Sequence, residues 1–293
     1  MKRFTWQEME RYWKAHDSRY ARLDYERDPE GLGNILHAES PLWLNRYYAR
    51  FQKMVYRNLF CLVPPCAQGA RALDVGCGAG RWCRFLADCG YGTVGIDLQS
   101  ELIERNRRAY PHIKFLCASI QQYVGDDLFD LVSSVTVVQH VPFEEQDAMI
   151  HKMRALLKDN GHAIILENIH DQGPHVFSNS IKEWRAKFEK AGFDLLAWQR
   201  YDHSFFLRFL KLTASGLQRA IPTLRRHRSE AEVVPELFMA SLDQKGGMKY
   251  FLRQMYRPVQ GLAVGLDSLL EPLLIRCQFK FPTVHCGFLF KAL

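Results

Sequence analysis

Three glycines and two acids have the types and spacing that could do chemistry in this 293-residue chain. Asp74-Val75-Gly76-Cys77-Gly78-Ala79-Gly80 ends one apolar run, and Gly95-Ile96-Asp97 ends the next. A glycine turn after a strand lets the backbone approach a ligand closely. An acid at the end of the following strand can accept hydrogen bonds from ribose hydroxyls. Together they describe a nucleoside holder. A dinucleotide cradle is built on G-x-G-x-x-G and a P-loop on G-x-x-x-x-G-K-[ST]. Here the register is G-x-G-x-G followed by Arg81, and neither pattern occurs. Asp74, ahead of the glycines, would repel a phosphate but could orient an ammonium, directly or through water.

The elements that must position these residues alternate. Strands are predicted over 71–75, 93–96, 113–117, 129–135, 162–167 and 193–201, with helices over 81–89, 100–110, 142–158 and 180–191. A further strand is predicted over 285–291. Strand–helix alternation of this kind implies an α/β fold, a largely parallel sheet with helices on both faces. Two capping boxes, Thr5-Trp6-Gln7-Glu8 and Ser180-Ile181-Lys182-Glu183, mark helix starts. The first opens a helix to about Leu23. A helical period with a broad apolar face runs from Pro41 to Leu62.

The segments D-V-G-C-G-A-G and V-G-I-D resemble motifs I and II of the class I S-adenosylmethionine (SAM)-dependent methyltransferases. The resemblance covers about residues 68–202 and the last strand. It implies a seven-stranded Rossmann-like sheet, with the last strand inserted antiparallel beside the sixth. It also implies SAM as cofactor. Gly76, Gly78 and Gly80 would meet the methionine part, with Asp74 near its ammonium. Asp97 would hold the ribose, and Leu98 would pack on the adenine. Ser119 stands where relatives carry an acid for the adenine amino group, a departure; Ile120 would supply packing and a backbone donor there. A residue near Ser134 or Val135 would offer a carbonyl to the ammonium. Arg46, on the helix before the first strand, would grip the carboxylate, and Tyr20 would close over the cofactor.

His140 resembles the histidine that faces the transferring methyl in small-molecule methyltransferases. A neutral imidazole there could take a proton from the acceptor. It could also simply pack the next helix. Glu167 is read as an alternative base or a hydrogen-bond acceptor for substrate. Glu167, His170 and His175 match no metal-ligand spacing, so no metal is expected.

Composition bounds the rest. Hydrophobic residues make up 47% of the chain, enough for a core. No run reaches the ~18 apolar residues of a membrane span, and the first residues lack the apolar core of a signal peptide. The eight cysteines include no C-x-x-C pair, so they read as thiols in a reducing cytosol. The net charge is +7, and six basic residues with no acids fall between Ser204 and Arg228. Within this stretch Phe205, Phe209 and Leu217 share one helical face, while Arg208, Lys211 and Arg219 share the other. Such a helix could pack on the core, meet an anionic membrane surface, or receive an anionic acceptor.

The expected organisation is a helical lid (1–67), a SAM-binding core (68–202), a mainly helical insertion (203–282) and a last strand (283–293). The acceptor is expected to be a small molecule, a glycan or a lipid-linked compound, methylated on oxygen or nitrogen. The D/N-P-P-Y/F/W motif of nucleic-acid amino-methyltransferases is missing after the fourth strand, where the chain reads V-T-V-V-Q-H, so no nucleic-acid partner is expected. A non-catalytic SAM-binding partner protein is the alternative. A cytoplasmic location is expected, with contact at the inner membrane surface left open.

Overall fold

The computed structural model describes residues 3–9, 11–13, 28, 30–32, 42–125, 128–170, 173–210, 247–279 and 283–293. Tyr20, the distal part of the first helix and positions 211–228 of the basic stretch lie outside the described residues. Residues 6–9 and 11–13 are helical. Then follow α1 (Leu42–Phe60), β1 (Arg71–Val75), α2 (Arg81–Asp88), β2 (Gly92–Asp97), α3 (Ser100–Ala109), β3 (Lys114–Cys117) and β4 (Phe129–Val135). A single 3-10 turn, Val138–His140, leads into α4 (Phe143–Ala155). β5 (Leu157–Asn168), α5 (Ile181–Lys190), β6 (Phe193–Tyr201), α6 (Gly247–Arg276) and β7 (His285–Ala292) complete the order.

The seven strands form one sheet in the order β3-β2-β1-β4-β5-β7-β6. Strands β1 to β5 pair in parallel, and β7 runs antiparallel to both β5 and β6. This is the α/β Rossmann-like sheet expected from the motifs. The central strands are buried on both faces, which explains apolar runs such as Leu131-Val132 and Ile164-Ile165-Leu166. One face packs against α4 and α5 through Ile150, Met153, Trp184 and Phe188. The other packs against α1 and α2 through Phe51, Val55, Tyr56 and Leu86.

Both capping boxes form. Thr5 N donates to Glu8 at 2.7 Å while Glu8 N donates to Thr5 Oγ1 at 3.3 Å. Ser180 and Glu183 repeat the exchange at the start of α5. One boundary differs from expectation: α4 ends at Ala155, and β5 begins at Leu157. Leu157 is drawn into the sheet because it pairs with Phe129, with an irregularity before His162 pairs with Leu131.

The Pro258–Arg276 part of α6 is long and apolar enough to cross a membrane by length and composition, although it contains no unbroken apolar run of that length. Its acids explain why the sequence reads otherwise. Asp267 accepts from Phe206 N and Leu207 N, each at 2.9 Å, and Glu271 accepts from His203 N at 2.9 and 3.0 Å. Both acids are about 1% exposed, so this face of α6 is fastened to the chain that follows β6.

Candidate active site

Strand order reverses beside β1, whose neighbours are β2 and β4, and ligands of open α/β sheets bind at the carboxyl ends of strands at such a point. A cavity of about 520 Å³ opens there, within the size range of small-molecule sites. Its wall contains Gly76, Gly78, Asp97, Leu98, Ser119, Ile120, Val135 and His140, so eight of the sequence-derived positions come together.

Asp97 ends β2. Its Oδ2 accepts from Gly78 N at 2.8 Å and its Oδ1 from Gln99 N at 2.9 Å. The acid thus ties the glycine turn to the start of α3, and each ionised oxygen has capacity for a second donor. Gly78 has φ +50° and open space where a Cβ would stand. At Gly76, φ is +69° and a Cβ would lie 2.4 Å from Val137 Cγ2. The glycine turn is therefore pressed against the loop after β4 on one side and open to the cavity on the other. Ser119 caps its own turn: its Oγ accepts from Gln122 N, and its N–H donates to Gln122 Oε1, both at 3.2 Å.

The loop after β4 hangs on Glu167. This carboxylate accepts from Val137 N (3.2 Å), Val138 N (2.9 Å) and Gln139 N (3.1 Å) and is fully buried. Burial pushes its pKa up to about 8, against the pull of the three donors. It does not line the cavity. The reading of Glu167 as a base or substrate acceptor is thereby corrected: its oxygens are committed to backbone. Thr136, on the same loop, sits at φ +58°, a costly conformation for a β-branched residue. Its Oγ1 donates to Val135 O at 2.7 Å, the carbonyl expected to meet an ammonium.

His140 contributes an imidazole to the wall. Gln139 Oε1 accepts from Asn168 N at 2.6 Å, which orients the Gln139 amide so that Nε2 donates to His140 Nε2 at 3.3 Å. His140 Nδ1–H must then donate to His175 O, at 2.9 Å. The network assigns a neutral Nδ1–H tautomer with the lone pair on Nε2. Trp13 meets the ring edge-on at 4.9 Å, and His175 lies parallel at 5.7 Å. Trp13 joins Trp6 and Met9 on the cavity wall. This segment is held by Phe4 N donating to Pro174 O at 3.0 Å, and by Arg3, which bonds to Val176 O and lies over Phe143.

Three other expected positions fall elsewhere. Asp74 is 1% exposed beneath the turn, accepts from Cys83 Sγ at 3.4 Å and has a pKa pushed up to about 7 by burial. Strand alternation turns it away from the cavity that the adjacent Val75 lines. Gly80 caps α2 in the left-handed conformation instead of lining the wall. Arg46 lies on the exposed side of α1, in a separate depression with Asp28 and Lys53. The α1 side chain on the cavity wall is Gln52, whose Oε1 accepts from Arg81. Gln52 and Arg81 were missed as site residues. A polar Gln52 beside Phe51 and Val55 on a buried helix face was the available signal.

Residues 72–161 match a family described as a methyltransferase domain. The chain carries a class I SAM-dependent methyltransferase domain. It is similar to the ubiquinone biosynthesis O-methyltransferase of Bradyrhizobium diazoefficiens, 28% identical over 156 residues, 52% of this chain and 60% of that one. The same-named protein of Bradyrhizobium sp. (strain ORS 278) is 30% identical over 142 residues, 47% and 54% of the two chains. The match thus spans between about half and 60% of these relatives' lengths. The solved cyclopropane synthase MmaA2 of Mycobacterium tuberculosis shares the fold, with a TM-score of 0.50 and 16% identity over 82% of this chain and 84% of that one.

SAM is the cofactor of this methyltransferase domain, and the residues present fit it. The open Gly78 cradle admits close approach of a ligand, and Asp97 is the acid on the same wall. When bound, SAM supplies a methyl group already activated on its sulfonium. The domain's own work is then alignment, exclusion of water and handling of the acceptor proton.

Proposed function

We propose that this chain methylates an oxygen of a small-molecule acceptor, with an aromatic hydroxyl as the receiving group. The observation that carries this reading is the composition of the cavity beyond the glycine turn. His140, Trp6, Trp13, Met9, Val141 and Met149 line it together with Glu145, a largely apolar and aromatic wall that carries one imidazole and one carboxylate. The Nε2 lone pair would take the hydroxyl proton once the long contact from Gln139 is exchanged for the acceptor. Positioning carries the larger share of the barrier, and the base adds about 10²- to 10⁴-fold. The relatives named as ubiquinone biosynthesis O-methyltransferases favour oxygen over nitrogen and a lipid-linked ring over a glycan.

The test is turnover by the purified protein with SAM and a panel containing a polyprenylated catechol, a short catechol and an amine, read by mass spectrometry. A singly methylated catechol supports the proposal, whereas methylation of the amine alone overturns it. One observation favours a second reading, a SAM-binding protein without turnover: both ring nitrogens of His140 already have partners. Binding of S-adenosylhomocysteine (SAH) with no methylation of any acceptor in the panel would support that alternative.

Residues 1–67 are proposed as the lid over the acceptor, 68–202 with 283–293 as the core, and 203–282 as a cap. The cap offers a further role at an anionic membrane surface from a cytoplasmic location. Leu262, Leu269 and Leu273 of α6 are exposed, at 65%, 80% and 57%, and the basic stretch from Arg208 to Arg228 precedes them in sequence. Flotation with anionic and neutral vesicles distinguishes this role from simple packing.

A further inference from the structure

Arg81 is the first residue of α2, directly after the glycine turn, and its side chain lies on the cavity wall. The guanidinium stacks 4.5 Å over the Trp82 ring, and one terminal nitrogen, Nη2, donates to Gln52 Oε1. The other, Nη1, is buried and has no hydrogen-bond partner among the described residues. Burial lowers the pKa of Arg81 to about 10, which leaves it charged at neutral pH. A fixed cation with a buried, unfilled donor in a cavity is costly unless an anion completes it. Gln52 is neutral and orients the fork; the carboxylate whose charge Arg81 feels most is Glu30, which makes no hydrogen bond to Nη1. Glu30 is also on the wall, and its carboxylate lies 3.6 Å from Lys53 Nζ.

We propose that Arg81, oriented by Gln52 and Trp82, is the carboxylate receptor of the cavity and binds the amino-acid end of the cofactor through Nη1. The role expected for Arg46 moves to the residue that completes the glycine motif. Asp97 and Arg81 then divide the ligand: the acid takes hydroxyl groups, and the guanidinium takes the carboxylate. Glu30 supplies the opposite charge that the neighbouring ammonium of a zwitterion requires. The inference rests on the assignment of SAM as cofactor.

Calorimetry with two probes tests both. SAH carries the amino-acid end, and 5′-methylthioadenosine has the same nucleoside thioether without it. The wild-type protein should bind both, SAH more tightly. Arg81→Met should weaken SAH by roughly 10- to 100-fold, the usual worth of a hydrogen bond to a charged group. Binding of 5′-methylthioadenosine should change by less than about threefold, since the lost contact is absent from it. Arg81→Lys keeps the charge and loses the fork, so an intermediate loss confined to SAH is expected; this variant decides the matter if Arg81→Met does not fold. Unchanged SAH affinity, or equal losses for the two probes, overturns the role of Arg81 while leaving the cofactor assignment standing. Failure of the wild-type protein to bind either probe overturns the cofactor assignment, and the role of Arg81 with it.

Discussion

Glu167 and His140 lie within one short network, yet their tasks differ. Glu167 holds three backbone N–H groups of the loop that carries His140. Removing it would strand three buried donors, each costing about 1–3 kcal/mol. Glu167→Ala should therefore lower the unfolding free energy by several kcal/mol, on the order of 3, measured by urea titration. A loss below about 1 kcal/mol would mean that water replaces the carboxylate easily. His140→Ala should leave SAH affinity within about threefold and cut turnover by about 10²-fold or more. Undiminished turnover would remove the base from the mechanism. The motif acids and glycines were legible because their chemistry is local. The task of Glu167 was not, because its donors lie 28 to 30 residues away in sequence. Arg46 failed as an expectation for a related reason: the period identified its helix, but only packing decides which side of α1 meets the cavity.

At the scale of elements, the glycine turn separates folding from binding. Gly78→Ala meets nothing in the protein, so its cost is that of a left-handed alanine, about 1–2 kcal/mol. The added methyl enters the space that a ligand needs, and SAH affinity should fall at least ~10-fold. Gly76→Ala would drive a methyl into Val137, so it should lose more stability than Gly78→Ala and also disturb the His140 loop. Thermal melts with and without SAH separate the two; equal destabilisation would show that Val137 yields. The strands themselves were readable because their apolar runs are short and bounded by turn residues. The start of β5 was not, because Lys158-Asp159-Asn160-Gly161 reads as a helix end, and only the pairing of Leu157 with Phe129 makes it a strand. α6 shows the same limit, since Asp267 and Glu271 serve a segment more than 60 residues earlier in sequence.

For the whole molecule, buried acids make stability depend on pH in a defined sense. Asp74 and Glu167 have pKa values raised by burial to about 7 and about 8, from 3.8 and 4.5. Between the lower and upper values the folded chain binds more protons than the unfolded one, so these acids make stability fall as pH rises from about 4 to 8. His162 acts the other way: burial and Lys291 hold its pKa below 6.5, so folding costs it a proton in acid and its contribution improves as pH rises through that region. Asp147 matters only at the acid end. Its bonds to Lys187 and Lys190 bring it down to about 2, and the stability it confers is lost as pH falls from 3.8 toward that value. With three acids (Asp74, Glu167 and Asp267, whose pKa burial also raises) set against one histidine, urea midpoints should decline between about pH 5 and pH 8. Asp74→Asn replaces the acid with a neutral group of the same shape that can still accept from Cys83. The substitution should stabilise the protein at about pH 8 by more than ~1 kcal/mol relative to its effect at about pH 5. An equal effect at the two pH values would mean that Asp74 stays ionised beneath the glycine turn. Repeating the titration with SAH then asks whether the cofactor changes that balance. The charge of Asp74 is felt at Arg81, so a ligand carboxylate at Arg81 should raise the Asp74 pKa further and steepen the decline.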